Sequence, residues 1–231
     1  MSNVTGRSYL LRDVKNATEE ETKLSEITEQ EFSVDSNMKD MLRIYEEFQN
    51  KYFDNSNSMA IQFAREKHHG VTRKFSGEPY VNHCIRVSDT VALHTTKATV
   101  ITAAVLHDTL EDTSATYEEI EEKFGTCVAV IVLALTNDDV EMAKAGGKRD
   151  YLASKINTLT KDQLLIKLAD RLDNVSDLSD NKWSRKYCEE TRHIFLETLT
   201  MENLNSSHIE LLEQIHKRVL ACELLFEKQT Q

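Results

Sequence analysis

The stretch Ala103-Ala104-Val105-Leu106-His107-Asp108-Thr109-Leu110-Glu111-Asp112 reads as a helix whose apolar run ends in four polar groups. A spacing of four sets His107 above Glu111 and Asp108 above Asp112, on two adjacent faces. The small and apolar residues just before the doublet say that this end of the helix is buried. Carboxylates buried in apolar surroundings are costly unless cations or hydrogen bonds compensate. One bound metal ion supplies that compensation.

Two further stretches repeat the anomaly. In Leu164-Leu165-Ile166-Lys167-Leu168-Ala169-Asp170-Arg171, Asp170 follows six residues of which five are apolar. Asn174 lies one turn later on the same face. His83 interrupts the segment after Pro79-Tyr80-Val81-Asn82. A lone buried His or Asp is more often a satisfied core residue than a ligand. Three interruptions that sum to His, His-Asp and Asp make an N₂O₂ set, suited to Mn²⁺, Fe²⁺ or Zn²⁺ better than to Ca²⁺ or Mg²⁺.

Working outward, the helical reading extends over the chain. Its 231 residues include six glycines and one proline, Pro79, too few for the frequent turns of an all-β protein. An all-α fold is expected. Met41, Tyr45, Phe48 and Tyr52 start a helical period from Met38, and a second helix is expected from Ser58 to Gly70. Val71 to Pro79 reads as a loop, followed by helices over Tyr80–His94 and Lys97–Glu111. Thr116 and Glu119 form a capping box, and Gly125 ends that helix. The run Ala129–Leu135 suits a buried strand or a core helix, and the helices around it favour the helix. Thr136 to Arg149 is read as a polar loop, either a lid or a plain surface connection. Helices are expected over Asp150–Leu159, Asp162–Leu178, Ser184–Leu199 and Ser207–Phe226, with Trp183 in the core. Residues 1–37, which hold the acidic run Glu19-Glu20-Glu21, read as a flexible extension or a partner-binding arm ahead of one domain over 38–231.

Apolar residues make up 40% and charged residues 29%, a globular composition. No run approaches the ~20 apolar residues of a membrane span, and no signal segment opens the chain. Four scattered cysteines without a C-x-x-C pair suggest free thiols in the cytoplasm. A net charge of −11 works against nucleic acid and anionic membranes as partners. One stretch runs the other way: Arg65, Lys67, Arg73, Lys74 and Arg86 face only Glu66 and Glu78. His94, His193, His208 and His216 lack partner spacing and read as surface or packing residues.

The ordered pattern His…His-Asp…Asp resembles that of the HD metal-dependent phosphohydrolases. More specific are His68-His69-Gly70, Arg73-Lys74-Phe75-Ser76-Gly77-Glu78-Pro79-Tyr80-Val81-Asn82-His83, Leu106 to Thr113, Phe124-Gly125 and Lys167 to Asn174. In this order they resemble the hydrolase domain of the RelA/SpoT homologue family over about residues 45–200. The resemblance implies an all-α HD-domain helical bundle and a stand-alone alarmone hydrolase that removes the 3′-diphosphate of ppGpp and pppGpp. It implies His83, His107, Asp108 and Asp170 as metal ligands, with Mn²⁺ the family's usual ion. It implies Glu111 and Asp112 as the acidic pair that orients or deprotonates the attacking water and protonates the leaving oxygen. Arg73, Lys74 and Ser76 match the loop that holds the nucleotide, and Tyr80 and Asn174 line its base and ribose side. The basic run would then neutralise a polyanion. Tyr187, Glu190 and Thr191 match a segment that supports the site.

Some residues depart from the family pattern. Phe75 lengthens the Arg-Lys-Ser-Gly loop by one. Cys84 stands where proline is usual, Asp173 where His or Tyr is common, and Ser176, followed by Asp177, where a basic residue is common. The metal set is untouched, while the nucleotide contacts are altered. Two other functions stay open on this reading. One is an HD phosphatase for another 2′- or 3′-phosphorylated nucleotide. The other is a regulatory module that binds an alarmone or a protein through the acidic extension.

Overall fold

The helices follow from apolar faces that have to be covered. The computed structural model describes residues 34–227 except 75, 179–181, 201 and 203, so the expectation for the extension falls, up to residue 33, outside the described residues. The chain divides into two compact units, residues 1–51 and 52–231, and the second carries the site. The elements in order are α1 (Val34–Lys67), α2 (Val81–Ala92), α3 (Ala98–Leu106), the short α4 (Thr109–Asp112), α5 (Tyr117–Phe124) and α6 (Thr126–Leu135). Then come α7 (Asp139–Lys144), α8 (Lys148–Lys155), a 3₁₀ turn (Ile156–Thr158), α9 (Lys161–Ser176), α10 (Lys182–Thr191), a π-helical turn (Arg192–Glu197) and α11 (Ser206–Glu227). The described residues contain no strand, only an antiparallel bridge between Thr72 and Pro79 that closes the base of the loop before α2.

Helix α3 is apolar all round, and Val100 to Leu106 are all buried. Such a helix has to sit in the middle of the core. It packs on α2 and α6, while α9 crosses both α2 and α3 and carries α11 on its far side. Leu106, Ile166 and Leu168 are completely buried, each stabilising the fold by about 1.5–3 kcal/mol. The polar side chains that interrupt these helices are thereby carried into the interior. Local signals set the ends. The Thr116–Glu119 capping box is formed in both directions, and Gly125, at φ 85°, turns the chain from α5 into α6. A second capping box, Thr160 with Gln163, opens α9.

The structure differs from the expectations at five places. α1 is continuous through Asp54–Ser58, where polar residues suggested a break. Without Gly or Pro, that stretch costs a helix only a few tenths of a kcal/mol per residue. The helix expected over Lys97–Glu111 is interrupted at His107-Asp108. The polar loop expected over Thr136–Arg149 contains α7, started by Asp138, whose side chain accepts from the backbone N–H groups of Val140 and Glu141. The helix expected over Ser184–Leu199 passes into a π turn, where the Thr198 N–H donates to the His193 carbonyl. Trp183 is 41% exposed rather than in the core, and its ring stacks on Tyr187.

Candidate active site

Three mutually packed helices bring the polar interruptions to one point. His83 comes from the first turn of α2, His107 and Asp108 from the kink after α3, and Asp170 from the middle of α9. Single ligand atoms of His83, His107 and Asp170 lie within 4.8 Å of one another. Asp108 Oδ2 stands 3.6 Å from His83 Nε2 and 3.0 Å from His107 Nε2. Asp170 Oδ1 stands 3.5 and 3.8 Å from the same two nitrogens.

Both Nε2 atoms are buried and neither makes a hydrogen bond. The other nitrogen of each ring is occupied: His107 Nδ1 lies 2.8 Å from the Ala104 carbonyl and His83 Nδ1 lies 2.6 Å from Asp173 Oδ2. Both acceptors require Nδ1 to donate, which turns each Nε2 toward the carboxylates. Imidazole nitrogens and carboxylate oxygens converging without hydrogen-bond geometry are the surroundings of a shared cation, and this donor set fits a divalent transition ion. Charge says the same. Burial disfavours imidazolium, yet Asp108 and Asp170 raise His83 to about 11 and His107 to about 9. Against their own burial, the two carboxyls are held well below the usual range by the imidazoles and, at Asp170, foremost by Lys167.

The acidic pair lies beside this centre. A cavity of about 190 Å³ is lined by Tyr80, Asp108, Glu111, Asp112, Asp170 and Asn174, together with Asn137, Lys148, Lys167, Arg171, Tyr187 and Glu190. The Asp112 N–H donates to the Asp108 carbonyl (2.9 Å), so the spacing of four survives the kink. Burial, then the charges of Asp108 and Glu111, push the Asp112 carboxyl upward. Glu111 is gripped by Asn137, whose backbone N–H donates to Oε2 (3.1 Å) and whose amide donates to Oε1 (3.0 Å) and Oε2 (2.9 Å). The Tyr80 hydroxyl donates to Asp108 Oδ2 (2.7 Å), and burial, then the Asp108 charge, keeps that phenol protonated.

The expected nucleotide loop is arranged differently from the cavity-lining residues. Arg73 is buried, donates to Asn174 Oδ1 (2.8 Å), and lies 3.4 Å from Asp177 and 3.8 Å from Asp173. Lys74 is exposed and lies over the Trp183 ring, and Ser76 is exposed. None of the three lines the cavity, whereas Tyr80 and Asn174 do. Asn174 also donates to Asp170 Oδ1. Two more cations of the basic run are paired within the protein: Lys67 with Glu119, and Arg86 with Glu78 and Asp173. The positive charge at the cavity comes from Lys148, Lys167 and Arg171, which sequence reasoning missed. Lys167 Nζ pairs with Asp170 Oδ2 (2.8 Å). Arg171 is clamped between the Tyr187 and Phe195 rings, and its guanidinium donates to Thr191 Oγ1 (3.2 Å). Tyr187 and Thr191 thus hold Arg171, and Glu190 lines the cavity. His68, part of the His68-His69-Gly70 motif, is buried, neither ring nitrogen has a hydrogen-bond partner, and its ring lies 4.9 Å from Tyr80.

Residues 60–197 match the HD-domain family model. The chain belongs to the HD-domain family. Within it, the relatives are of RelA/SpoT type. The Drosophila melanogaster guanosine-3′,5′-bis(diphosphate) 3′-pyrophosphohydrolase MESH1 is 40% identical over 124 residues, 52% of this chain and 68% of that protein. The Danio rerio MESH1 is 39% identical over 136 residues, 56% of this chain and 74% of that protein. An Aquifex aeolicus enzyme of the same description is 39% identical over 139 residues, which span only 20% of its length. Among solved structures, a metazoan SpoT orthologue that hydrolyses ppGpp aligns with a TM-score of 0.60 at 28% identity, covering 71% of this chain and 95% of that one.

Proposed function

We propose that this HD-domain protein is a Mn²⁺-dependent guanosine-3′,5′-bis(diphosphate) 3′-pyrophosphohydrolase of the cytoplasm. The observation that carries the reading is the convergence of His83, His107, Asp108 and Asp170 on one point, with Asp108 and Asp170 lining the same cavity as Glu111 and Asp112. The activity named for the MESH1 relatives and for the structural neighbour agrees with it. No described helix is long and apolar enough to cross a membrane.

In this reading the four converging side chains hold the ion, with Fe²⁺ or Zn²⁺ as substitutes. The ion supplies Lewis-acid polarisation of phosphoryl oxygens and a lowered water pKa. Water adds to the phosphorus on the ribose 3′-oxygen, the P–O3′ bond breaks, and pyrophosphate leaves. Glu111 and Asp112 carry the water proton to the 3′-oxygen. Lys148, Lys167 and Arg171 offset the substrate's negative charge on an acidic protein. Tyr80 and Asn174 line the nucleotide side.

The test is pyrophosphate release from ppGpp with and without Mn²⁺, for wild type beside Asp108→Ala and Glu111→Ala. Manganese-dependent release that both substitutions abolish is the expected result. No release from wild type with Mn²⁺ demonstrably bound overturns it. One observation favours a second substrate class: Arg73, expected with Lys74 and Ser76 in the loop that holds the nucleotide, is taken up by Asn174, Asp173 and Asp177. Faster turnover of another 2′- or 3′-phosphorylated nucleotide than of ppGpp would establish that reading. The acidic extension remains a candidate arm for a protein partner, and deleting residues 1–37 is expected to leave hydrolysis intact.

A further inference from the structure

His107 and His83 are held by different means. The His107 ring is fixed through Nδ1 by a backbone carbonyl, that of Ala104. The His83 ring, completely buried, is fixed through Nδ1 by a side chain, Asp173, at 2.6 Å. That carboxylate is itself clamped. Arg86 Nε donates to Asp173 Oδ1 (2.6 Å) and Nη2 to Oδ2 (3.2 Å). Arg86 is braced in turn by Glu78 (2.7 Å), which also accepts from Asn82. The arrangement follows from helical spacing. His83 and Arg86 lie one turn apart on α2, Asp170 and Asp173 one turn apart on α9, and the helices pack together. One imidazole therefore meets Asp170 on its Nε2 side and Asp173 on its Nδ1 side.

We infer that Asp173, locked by Arg86, is a positioning residue that holds His83 in the tautomer presenting a bare Nε2 to the ion. The inference rests on the proposed metal site and adds a residue to it. Asp173 stands where His or Tyr is common in the family pattern.

The chemistry makes Asp173→Asn the informative change. Arg86 donates to both oxygens, but its 2.6 Å Nε contact on Oδ1 is shorter than its 3.2 Å Nη2 contact on Oδ2, so the asparagine oxygen is expected at the Oδ1 position with the amide nitrogen toward His83. Two donors cannot share that contact, so His83 Nδ1 becomes the acceptor and the proton moves to Nε2, the nitrogen meant for the ion. Removing such a carboxylate partner weakens metal binding about 10–100-fold.

The experiment is calorimetric titration of metal-free protein with Mn²⁺, with the melting temperature of each metal-free variant and ppGpp hydrolysis at saturating Mn²⁺ measured alongside. Asp173→Asn is expected to lower the metal-free melting temperature, because it breaks the Arg86 pair, to bind Mn²⁺ about 10–100-fold more weakly, and to regain hydrolysis as Mn²⁺ is raised. Arg86→Gln, on a side chain 41% exposed, is expected to weaken binding in the same direction by about tenfold at most, and it serves if Asp173→Asn fails to fold. Asp162→Asn, on the same helix but outside the site, is the unchanged control. Mn²⁺ affinity within about twofold of wild type in both test variants overturns the inference, as does a wild type that binds no Mn²⁺. Normal Mn²⁺ binding without ppGpp hydrolysis in wild type overturns the proposed substrate and leaves Asp173 in its role.

Discussion

Asn137 offers the most direct probe of the acidic pair, because it holds Glu111 without being part of the pair. Its amide nitrogen reaches both carboxylate oxygens, at 3.0 and 2.9 Å, and its backbone N–H reaches one of them at 3.1 Å. Asn137→Ala removes the first two contacts and keeps the third. The two amide contacts share one nitrogen and count as one charge-assisted hydrogen bond, about 1.5–3 kcal/mol when buried. Glu111 is exposed, so about 1–2 kcal/mol of holding energy is a fair value. At 1.36 kcal/mol per factor of ten, kcat for ppGpp hydrolysis should fall about 5–30-fold with KM nearly unchanged. Asn137→Asp should do worse. A second carboxylate near 3 Å from Glu111 adds about 1–4 kcal/mol of repulsion, so the loss should reach about a hundredfold and shrink in high salt. Steady-state kinetics at low and high salt, with melting curves, would measure all of this. Kinetics within twofold of wild type in both variants, beside an inactive Glu111→Ala, would show that the grip on Glu111 has no part in turnover.

Three further outcomes follow from the same geometry. Mn²⁺ at a hundred times its Kd should stabilise the protein by about 2.7 kcal/mol, a rise in melting temperature of about 5–10 °C, and Asp170→Asn should abolish it; a preserved rise would remove Asp170 from the ligand set. Ile166→Ala, at a completely buried position in α9, should cost about 2–5 kcal/mol by denaturant titration, and a loss under about 1 kcal/mol would contradict the packing described. Lys155 donates to the carbonyls of Leu135 and Thr136, and burial, then the Lys167 charge, lowers its pKa from 10.5 to about 8. Between those values the unfolded chain binds more protons than the folded one, so this group makes stability rise with pH across that window. Wild type should gain stability from about pH 7.5 to 9.5 relative to Lys155→Met, and a pH-independent difference would refute the assignment.

What the sequence disclosed and what it concealed have one physical cause. A carboxylate inside an apolar helix contradicts its surroundings, and the contradiction is visible along one segment. Asp170 after Leu164–Ala169, and His107-Asp108 after Ala103–Leu106, announce burial and compensation from the sequence, and the Asp108 and Asp170 carboxylates both face the Nε2 atoms of His83 and His107. The Thr116–Glu119 box and Gly125 were legible for the same reason, since their partners lie within a few residues. α7 was missed because its short polar sequence has no apolar period, and the Asp138 cap alone does not outweigh that. The π turn depends on Thr198 reaching the carbonyls of His193 and Ile194 beneath a packed face, which no local pattern announces.

Charge shows the opposite case. The cations of the Arg65–Arg86 stretch looked like the phosphate-binding surface because they are close in sequence on an acidic chain. Folding brings Glu119 to Lys67, Asp173 and Asp177 to Arg73, and Asp173 to Arg86, which turns most of that run into braces. The cations that line the cavity stand on α8 and α9, where Lys148 begins a surface helix and Lys167 and Arg171 flank Asp170. Their sequence contexts differ, and only the approach of the two helices makes them one feature. Lys148 is exposed, and exposed charge costs little wherever it stands, so its position along the chain carries little information about its partners. Buried charge has to be answered, and the answer leaves a trace. That is why the four candidate ligands could be named from the chain alone, while Asp173, the residue argued to aim one of them, registered only as a departure from a family pattern until the fold set it against His83 and Arg86.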